Sequence, residues 1–269
     1  MDDRQDLYRE ITDSGLVCLK SRLLDGSGVV DHFFTVRDGS VASDNNMGLH
    51  IGDDPGIVIA NRKRVLEDHG MSLERLVVAR QVHGDRVTRV DHCDRGRGAT
   101  DHGQAIEDTD SLVTGSRGLA LMTFYADCVP VFLADPRGRA TGLVHAGWKG
   151  VALRNSARTV EAFHGHWGVD PRELLAVIGP AIGACCFRIR KDVADAMETA
   201  GLGAFIVHRE TEMWADLAGA VCRTLTDAGL QREHIRVWPD CTCCDPKNRH
   251  SHRRDGEQSG RMAGVIMLK

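Results

Sequence analysis

The sequence predicts an α+β fold, a single domain of mixed and antiparallel sheets flanked by helices. Apolar runs joined by short turns are typical of antiparallel strands, while other segments carry apolar residues at helical spacing behind capping residues. Because hairpins and helices are mixed and do not alternate strictly, this pattern favours α+β over a parallel α/β fold. No repeat, low-complexity tract or linker interrupts the chain, so we expect one domain over residues 1–269.

The clearest helix signal lies in the segment DDPGIVIANRKRVLEDHG. Asp54 is a favourable N-cap residue, Pro55 suits the first helical position, and Gly70 is a typical C-terminal stop. The segment RLVVARQVHG follows, and its apolar run predicts a strand that ends near His83. A histidine is thereby expected at the end of a strand.

The central segment GLALMTFYADCVPVFLADPRGRATGLVHAGW holds three apolar runs, which we interpret as three strands. The letters DPRG between the last two runs predict a hairpin turn. Behind Gly150 a helix is expected, because apolar residues recur there at helical spacing. These residues are Leu153, Ala157, Val160 and Phe163.

The C-terminal part predicts two further helices and three strands. In DPRELLAVIGP, Asp170 is expected to cap a helix that leads into a strand. A later helix is predicted from the apolar residues Trp214, Leu217, Val221 and Leu225. The segments REHIRVWPD and GRMAGVIMLK have the character of strands.

The composition indicates an ordinary soluble globular protein, with 42% hydrophobic and 27% charged residues in a chain of 269. The formal net charge of -4 gives no overall attraction to nucleic acid or to an anionic membrane surface. No apolar stretch approaches the roughly 18 to 20 residues of a membrane span. The start MDDRQDLYRE is unlike a signal peptide, so we expect a cytoplasmic protein whose nine cysteines are largely reduced.

Three predicted strand ends carry residues suited to chemistry: His83 in QVHG, Cys128 in ADCVPV and His145 in VHAGWKG. Two histidines and a cysteine complete the three protein ligands of a catalytic zinc, which keeps a fourth position for water or substrate. Each residue alone also has a structural explanation, because free cysteines are often buried as small hydrophobes. The three lie far apart in the sequence, so spacing alone leaves both interpretations open.

Five motifs resemble, in the same order, those of one family: QVHG, ADCVPV, HAGWKG, GPAIGACCF and the tail CT…SHRRDG…SGRMAGVI. The chain is similar in these motifs to the YfiH family, also called the multicopper polyphenol oxidase or laccase-domain family and the peptidoglycan editing factor family. The similarity extends from HFFTVRDG near residue 32 to the C-terminus. It implies one α+β domain, similar in fold to the cytotoxic necrotizing factor toxins, with His83, Cys128 and His145 as metal ligands.

The resemblance also implies a function, that of a zinc-dependent purine nucleoside phosphorylase that deaminates adenosine. Earlier assignments for the family were copper-dependent phenol oxidation. The implied substrates are phosphate and a nucleoside: adenosine, inosine, guanosine or methylthioadenosine. We expect Arg62, Arg253 and Arg261 to bind substrate, since phosphate needs cationic or N–H donors and the last two lie in the similar tail. Gln81 is expected to hydrogen-bond a purine edge or a ligand.

The tail also holds the one basic concentration of the chain, which offers phosphate ligands or a solvated loop. Its members are Lys247, Arg249, Arg253, Arg254, His250 and His252, and Arg37 is a further phosphate candidate. Asp127 is the acid nearest to Cys128 in the sequence. It is expected either to transfer protons in deamination or to act as a structural neighbour of the site.

Other functions stay open. A dyad of Cys128 and His145 would make a metal-free hydrolase acting on a cell-wall precursor or another amide, and would not need His83. Copper-dependent polyphenol oxidation ranks lower, because histidine repeats for a copper cluster are missing apart from HGH and HSH. A protein that only binds its ligand is a further option. Structural zinc is an option through Cys241, Cys243, Cys244, His250 and His252, although their spacing matches no usual finger pattern.

Overall fold

Two six-stranded sheets and a three-stranded sheet form the frame of the chain in the computed structural model, which describes residues 3–269. The strands are β1 Leu7–Ile11, β2 Val17–Ser21, β3 Val30–Thr35, β4 Leu76–Val78, β5 Val87–Arg89, β6 Ser111–Thr114, β7 Ala120–Tyr125, β8 Val129–Ala134, β9 Thr141–Ala146, β10 Leu175–Ile178, β11 Arg188–Ile189, β12 Ile206–Arg209, β13 Glu212–Ala215, β14 Ile235–Val237 and β15 Met262–Leu268. The helices are α1 Asp3–Asp6, α2 Arg22–Ser27, α3 Pro55–Asp68, α4 Trp148–Ala152, α5 Asn155–Trp167, α6 Lys191–Thr199, α7 Leu217–Asp227 and α8 His252–Asp255.

The strand order is β1-β2-β3-β15-β7-β4 in the first sheet, β14-β10-β8-β9-β6-β5 in the second and β11-β13-β12 in the third. In the first sheet β15 and β7 are antiparallel while β4 and β7 are parallel. In the second sheet β8 and β9 are antiparallel while β10 and β14 are parallel. Both large sheets are therefore mixed, which confirms the predicted α+β class.

The two large sheets pack face to face, with helices on their outer faces. Leu121 of β7, Phe132 of β8 and Leu143 of β9 belong to one apolar cluster between the sheets. A second cluster places Val65 of α3 on the outer face of the first sheet, and a third places Phe163 of α5 on the outer face of the second. Each fully buried side chain of this kind contributes about 1.5–3 kcal/mol relative to an exposed one.

The central strands β7, β8 and β9 are buried along their whole length. Successive side chains of a strand point to opposite faces, and both faces are covered here. Leu121 accordingly joins the cluster between the sheets, whereas Met122 joins the cluster beneath α3. This double coverage explains the continuous apolar runs of the sequence. It also makes the ends of these strands rigid positions from which side chains can be presented.

Several predicted elements are confirmed. Helix α3 begins at Pro55, and its N-cap Asp54 accepts a hydrogen bond from the Gly56 N–H at 2.7 Å. The DPRG segment forms the turn between β8 and β9, where the Gly138 N–H donates to the Asp135 carbonyl at 2.8 Å. Strands β14 and β15 lie within the two segments predicted near the C-terminus.

The predicted strand that ends near His83 is wrong in its end point, because β4 already ends at Val78. The chain then forms a loop in which His83 adopts a positive φ of 61°. The loop N–H groups of Val82 and His83 donate to the carboxylate of Asp110 at 3.1 and 3.0 Å and not to a neighbouring strand. The Asp110 carboxylate thus accepts the N–H groups that a neighbouring strand would have accepted if the predicted strand had continued to His83.

The helix predicted from Asp170 is also wrong, since only a 3₁₀ turn at Pro171–Glu173 precedes β10. Residues Leu175–Ile178 are held in strand form because β8 and β14 pair with them on both sides. Trp214 lies in β13 and not in the later helix, whose start is set by Asp216. The Asp216 carboxylate accepts the Gly219 N–H at 2.9 Å as the N-cap of α7.

The helix predicted behind Gly150 is divided into α4 and α5. Arg154, between the two, has a positive φ of 57°, which a continuous right-handed helix does not tolerate. Leu153 is 48% exposed at this break, although its spacing suggested the buried face. Among residues 3–269, no helix combines the length and the apolar character that crossing a bilayer requires.

Candidate metal centre and its cavity

The structure brings His83, Cys128 and His145 together where the two large sheets meet. His83 lies in the loop behind β4, Cys128 in the link between β7 and β8, and His145 near the end of β9. One ligand atom from each residue lies within 4.8 Å of the other two. Two imidazole nitrogens and one sulfur at this spacing fit a metal ion with three protein ligands and an open position.

Asp110, the residue directly before β6, organises this group. Its Oδ1 lies 2.8 Å from His145 Nδ1, so that the other ring nitrogen, Nε2, is available to a metal. The same carboxylate accepts the N–H groups of Val82, His83 and Gly84 at 3.1, 3.0 and 2.8 Å. Asp110 is fully buried, and these hydrogen bonds lower the pKa of its carboxyl group against the opposing effect of burial.

Cys128 and His145 form a charged pair when no metal is bound. Burial by itself raises the pKa of the Cys128 thiol, but the charge of His145 and hydrogen bonds from both histidines outweigh it and lower the pKa to about 6. Burial by itself lowers the pKa of His145, but the Cys128 thiolate and Asp110 raise it to about 9. The site is therefore built to hold a thiolate, which is the form of cysteine that binds metals.

Gly147 is required at the site because of its small size. A Cβ atom at Gly147 would lie 2.7 Å from His83 Cδ2 and 3.1 Å from Cys128 Sγ. The φ of Gly147 is -69°, which any residue can adopt, so backbone freedom does not explain this glycine. Gly147 lets the turn before α4 approach two of the three ligands.

The metal-ligand group opens into a cavity of about 440 Å³. Its walls combine rings, cations and polar groups from both sheets and from the C-terminal tail. The lining residues are His50, Ala79, Gln81, His83, His102, Phe124, Ala126, Asp127, Cys128, His145, Trp148, Ile182, Phe187, His252, Arg253 and Arg261. A cavity of this volume lies within the range that small-molecule sites occupy.

Two of the arginines predicted to bind substrate line this cavity. Arg253 stacks over the ring of Phe187 at 5.2 Å and donates three hydrogen bonds to the carbonyls of Cys186 and Arg188 at 3.1–3.2 Å. Arg261 donates from Nη1 to the carbonyls of Ser259 and Gly260. Burial lowers the pKa of Arg261, and the charge of Cys128 opposes that effect. Each guanidinium has five N–H donors, so these contacts leave others for a ligand.

Asp127 connects the tail to the metal-ligand group. Its Oδ1 accepts the Thr242 hydroxyl and its Oδ2 accepts the Arg253 N–H, both at 2.6 Å. Its own carbonyl accepts the Ile182 N–H at 2.9 Å. With both carboxylate oxygens engaged in this way, Asp127 holds the wall that carries Arg253. Of the two roles expected from the sequence, proton transfer or structural support of the site, these contacts favour structural support.

Gln81 lines the cavity, but its amide is engaged with the edge of β7. Its Nε2 donates to the Phe124 carbonyl and its Oε1 accepts the Phe124 N–H, both at 2.8 Å. This pair of bonds anchors the loop that carries His83. One amide N–H and one oxygen lone pair remain after these two bonds, so Gln81 positions the loop and keeps hydrogen-bonding capacity for a ligand.

Arg62 does not reach the cavity, in contrast to the prediction that it binds substrate. Its side chain is fully buried behind Phe124, with the guanidinium 4.8 Å from the ring centre. The carbonyls of Met47, Gly98 and Ala99 accept its hydrogen bonds at 2.7–2.9 Å. Arg62 thereby ties α3 to a distant loop that supports one cavity wall.

We expect Arg62→Met to lower the free energy of unfolding by about 3 kcal/mol, because buried carbonyls lose their donors. Lys63→Met, one residue along and exposed, is the matched control, with an expected change within about 0.5 kcal/mol. Urea denaturation followed by circular dichroism measures both. Equal stability of the two variants would contradict the structural role of Arg62.

The basic segment of the tail is dispersed in the structure, with only Arg253 and His252 of its members at the cavity. Arg249 is buried, with Nη2 3.1 Å from Asp240. Arg254 pairs with Asp255 at 2.6 Å. Arg37 pairs with Asp44 at 2.7 Å and lines a separate cavity with Lys247. Most of these cations are therefore committed to carboxylates away from the metal-ligand group.

Sequence reasoning missed Asp110, His50, His102 and Phe124. The signal for Asp110 was an acid directly before a buried strand, and the signal for His50 and His102 was a histidine close to a glycine in a loop. The rings of His50 and His102 lie 5.1 Å apart, centre to centre, opposite Phe124. Burial lowers the pKa of His50 to about 4 and also lowers that of His102, so both imidazoles are neutral near pH 7.

A two-histidine, one-cysteine donor set on a rigid α+β frame, beside a cavity with arginines, defines a protein with a candidate metal-dependent active site. The sequence matches the model of the multi-copper polyphenol oxidoreductase laccase family over residues 31–269. It is 38% identical over 225 residues to the purine nucleoside phosphorylase YlmD of Geobacillus stearothermophilus, covering 82% of each chain. It is 34% identical over 243 residues to the YlmD phosphorylase of Bacillus subtilis, covering 88% of this chain and 87% of that one.

The crystal structure of the Bacillus licheniformis hypothetical protein YfiH has the same fold. It superposes with a TM-score of 0.89 at 33% identity and covers 97% of this chain and 99% of the other. The chain therefore belongs to the multi-copper polyphenol oxidoreductase laccase family, which is the family that its motifs resemble.

Proposed function

We propose that this protein is a zinc-dependent purine nucleoside phosphorylase. It would convert adenosine, inosine, guanosine or methylthioadenosine and phosphate into the free base and the sugar 1-phosphate. The observation that carries the proposal is the shared cavity, in which the ligand group of His83, Cys128 and His145 lies beside Arg253 and Arg261. The names of the YlmD relatives, which are purine nucleoside phosphorylases, support the same reaction.

Phosphorolysis joins a phosphate oxygen to C1′ while the C1′–N9 bond breaks and its electron pair moves into the purine. A bound zinc ion would supply Lewis acidity and a template for the reactants. The free donors of Arg253 and Arg261 are suited to hold phosphate through charge-assisted hydrogen bonds. Holding the nucleophile close to C1′ replaces a bimolecular encounter, which is a large part of what such a site contributes.

The opposite wall is suited to the purine. Phe124 offers an apolar ring face, and His50 lies 5.9 Å from it, centre to centre. Neutral imidazoles donate at one ring nitrogen and accept at the other, as the edge of a purine requires. The buried Nδ1 of His102 has no hydrogen-bond partner among residues 3–269. Deamination of adenosine, in which water replaces the 6-amino group, is proposed for the same cavity.

The arrangement also supports a second candidate, a metal-free hydrolase. Asp110, His145 and Cys128 form a chain in which the acid orients the imidazole and the imidazole stabilises a thiolate. His83 has no role in that mechanism, whereas it supplies a ligand in the proposed one. Copper-dependent phenol oxidation lacks such support, because among residues 3–269 no second group of three or more donors that includes histidine has its ligand atoms within 4.8 Å of one another.

Phosphate-dependent turnover of adenosine and inosine tests the proposal. Zinc-replete protein is expected to release the base and ribose 1-phosphate, and His83→Ala and Cys128→Ala are each expected to lose the activity and about one metal per chain. Cys93→Ser, which changes an exposed remote thiol, is the control and is expected to keep both. Activity that withstands chelation and His83→Ala but is lost in Cys128→Ala would contradict the zinc requirement and leave Cys128 and His145 as a metal-free catalytic pair.

A further inference from the structure

Four cysteines outside the cavity converge from two loops. The parallel strands β10 and β14 lie side by side, and the loops behind them continue in parallel through a bridge between Ala181 and Cys241. The Thr242 N–H donates to the Ala181 carbonyl at 3.1 Å within this bridge. The first loop carries Cys185 and Cys186, and the second carries Cys241 and Cys244. The parallel pairing of the strands thus brings two thiols from each loop into one cluster.

The spacing of the four sulfurs fits a tetrahedral metal ion. All four Sγ atoms lie within 4.8 Å of one another, with Cys186 and Cys185 at 3.4 and 3.6 Å from Cys244. Zinc bound to four thiolates at about 2.3 Å separates the sulfurs by about 3.8 Å. A disulfide needs about 2.05 Å, which none of these pairs approaches. The chain therefore presents four separate thiols at the spacing of a tetrathiolate centre.

The backbone around the cysteines fixes the first loop and donates a hydrogen bond to one of the sulfurs. The Gly183 N–H donates to Cys241 Sγ at 3.2 Å. The N–H groups of Cys186 and Phe187 both donate to the Gly183 carbonyl at 2.9 Å, which turns the loop and brings two adjacent cysteines toward the second loop. A Cβ atom at Gly183 would lie 3.3 Å from Cys185 Sγ and 3.4 Å from Cys241 Cβ. The turn is therefore packed closely against the sulfur cluster.

We infer that Cys185, Cys186, Cys241 and Cys244 form a second metal site, a structural tetrathiolate site for zinc or another thiophilic divalent ion. Four sulfur ligands in tetrahedral spacing select such ions and leave no position for water or substrate. This ligand set differs from the structural zinc site considered from the sequence of the tail, which included His250 and His252. His252 lines the cavity instead, and His250 Nε2 lies 3.1 Å from the Asp44 carbonyl.

This second site would fasten one wall of the cavity. Ile182 and Phe187, which line the cavity, flank the first cysteine pair. The Cys186 carbonyl accepts a hydrogen bond from Arg253, and Thr242 next to Cys241 donates to Asp127. A metal ion joining the loops would hold Phe187 and Arg253 in place without touching substrate.

Metal content tests the inference independently of catalysis. Full-length protein purified with zinc is expected to hold about two zinc ions per chain, one in each site. Cys185→Ser combined with Cys244→Ser is expected to hold about one, and Cys93→Ser, a change at an exposed thiol outside the cluster, is expected to hold both. After cobalt substitution, most of the thiolate-to-metal absorption is expected to disappear in the double variant and to remain in Cys93→Ser.

If the double variant does not fold, wild-type protein and Cys128→Ala together decide whether the second site exists. A total of one zinc per chain that is lost in Cys128→Ala would overturn the inference. So would a thiol count in denaturant without reductant that shows Cys185, Cys186, Cys241 or Cys244 joined in disulfides. Loss of phosphorolysis with the second zinc retained would count against the proposed function and leave this site standing.

Discussion

Gly147→Ala is expected to reduce phosphorolysis by roughly 100-fold, since a displacement of about 1 Å at a reacting group can cost that much. The added methyl group would lie 2.7 Å from the His83 ring and 3.1 Å from Cys128 Sγ, so at least one ligand must move. The expected readouts are a lower kcat and a lower zinc affinity, with the protein still folded.

Gly165→Ala is the matched control for that prediction. Gly165 lies in α5, and a Cβ atom there has no neighbour within 4 Å. Alanine favours helices over glycine by about 1 kcal/mol, so this variant is expected to be slightly more stable and fully active. Normal zinc binding and turnover in Gly147→Ala would contradict the close approach of this turn to His83 and Cys128.

Asp110→Ala is expected to weaken zinc binding and turnover by about 10- to 100-fold, as the loss of a partner behind a metal-bound histidine does. The substitution removes the acceptor of His145 Nδ1 and of the N–H groups of Val82, His83 and Gly84. Two of the three ligands therefore lose their support at once. A competition titration with a zinc chelator and a parallel kcat measurement report both effects.

Asp110→Asn and Asp101→Ala show whether Asp110→Ala weakens zinc binding because the ligands lose their hydrogen-bond acceptor or because the fold is destabilised. Asn retains one acceptor oxygen at the same place, so it is expected to recover part of the zinc affinity that alanine loses. Asp101 caps the turn at His102–Gln104 by accepting the Gly103 N–H at 2.8 Å, and its loss is expected to leave zinc affinity unchanged. An Asp110→Ala variant with wild-type zinc affinity would remove this residue from the account.

The sequence was informative where local pattern and tertiary structure agree. Asp54 before Pro55 predicted the start of α3, and the buried strands β7, β8 and β9 appeared as apolar runs. His83, Cys128 and His145 were singled out as strand-end residues and through the motif resemblance. Their convergence within 4.8 Å is a property of the folded sheets, which no spacing along the chain contains.

Long-range contacts account for what the sequence did not predict. Arg62 was expected to bind substrate, and only its contacts with the carbonyls of Gly98 and Ala99 from a distant loop identify it as a buried structural cation. Asp110 acts on a loop at residues 82–84 that comes before it in the chain. Cys185 has no ligand signal in the sequence, and it becomes a ligand candidate only where the parallel strands β10 and β14 align two loops.

The most direct test is a crystal structure of zinc-replete protein with inosine and with sulfate in place of phosphate, recorded with anomalous scattering at the zinc edge. A zinc peak is expected at about 2.0–2.3 Å from ligand atoms of His83, Cys128 and His145. The purine is expected beside Phe124 and the sulfate on Arg253 or Arg261. No zinc at the three ligands, or a nucleoside bound outside this cavity, would contradict the proposed zinc-dependent site.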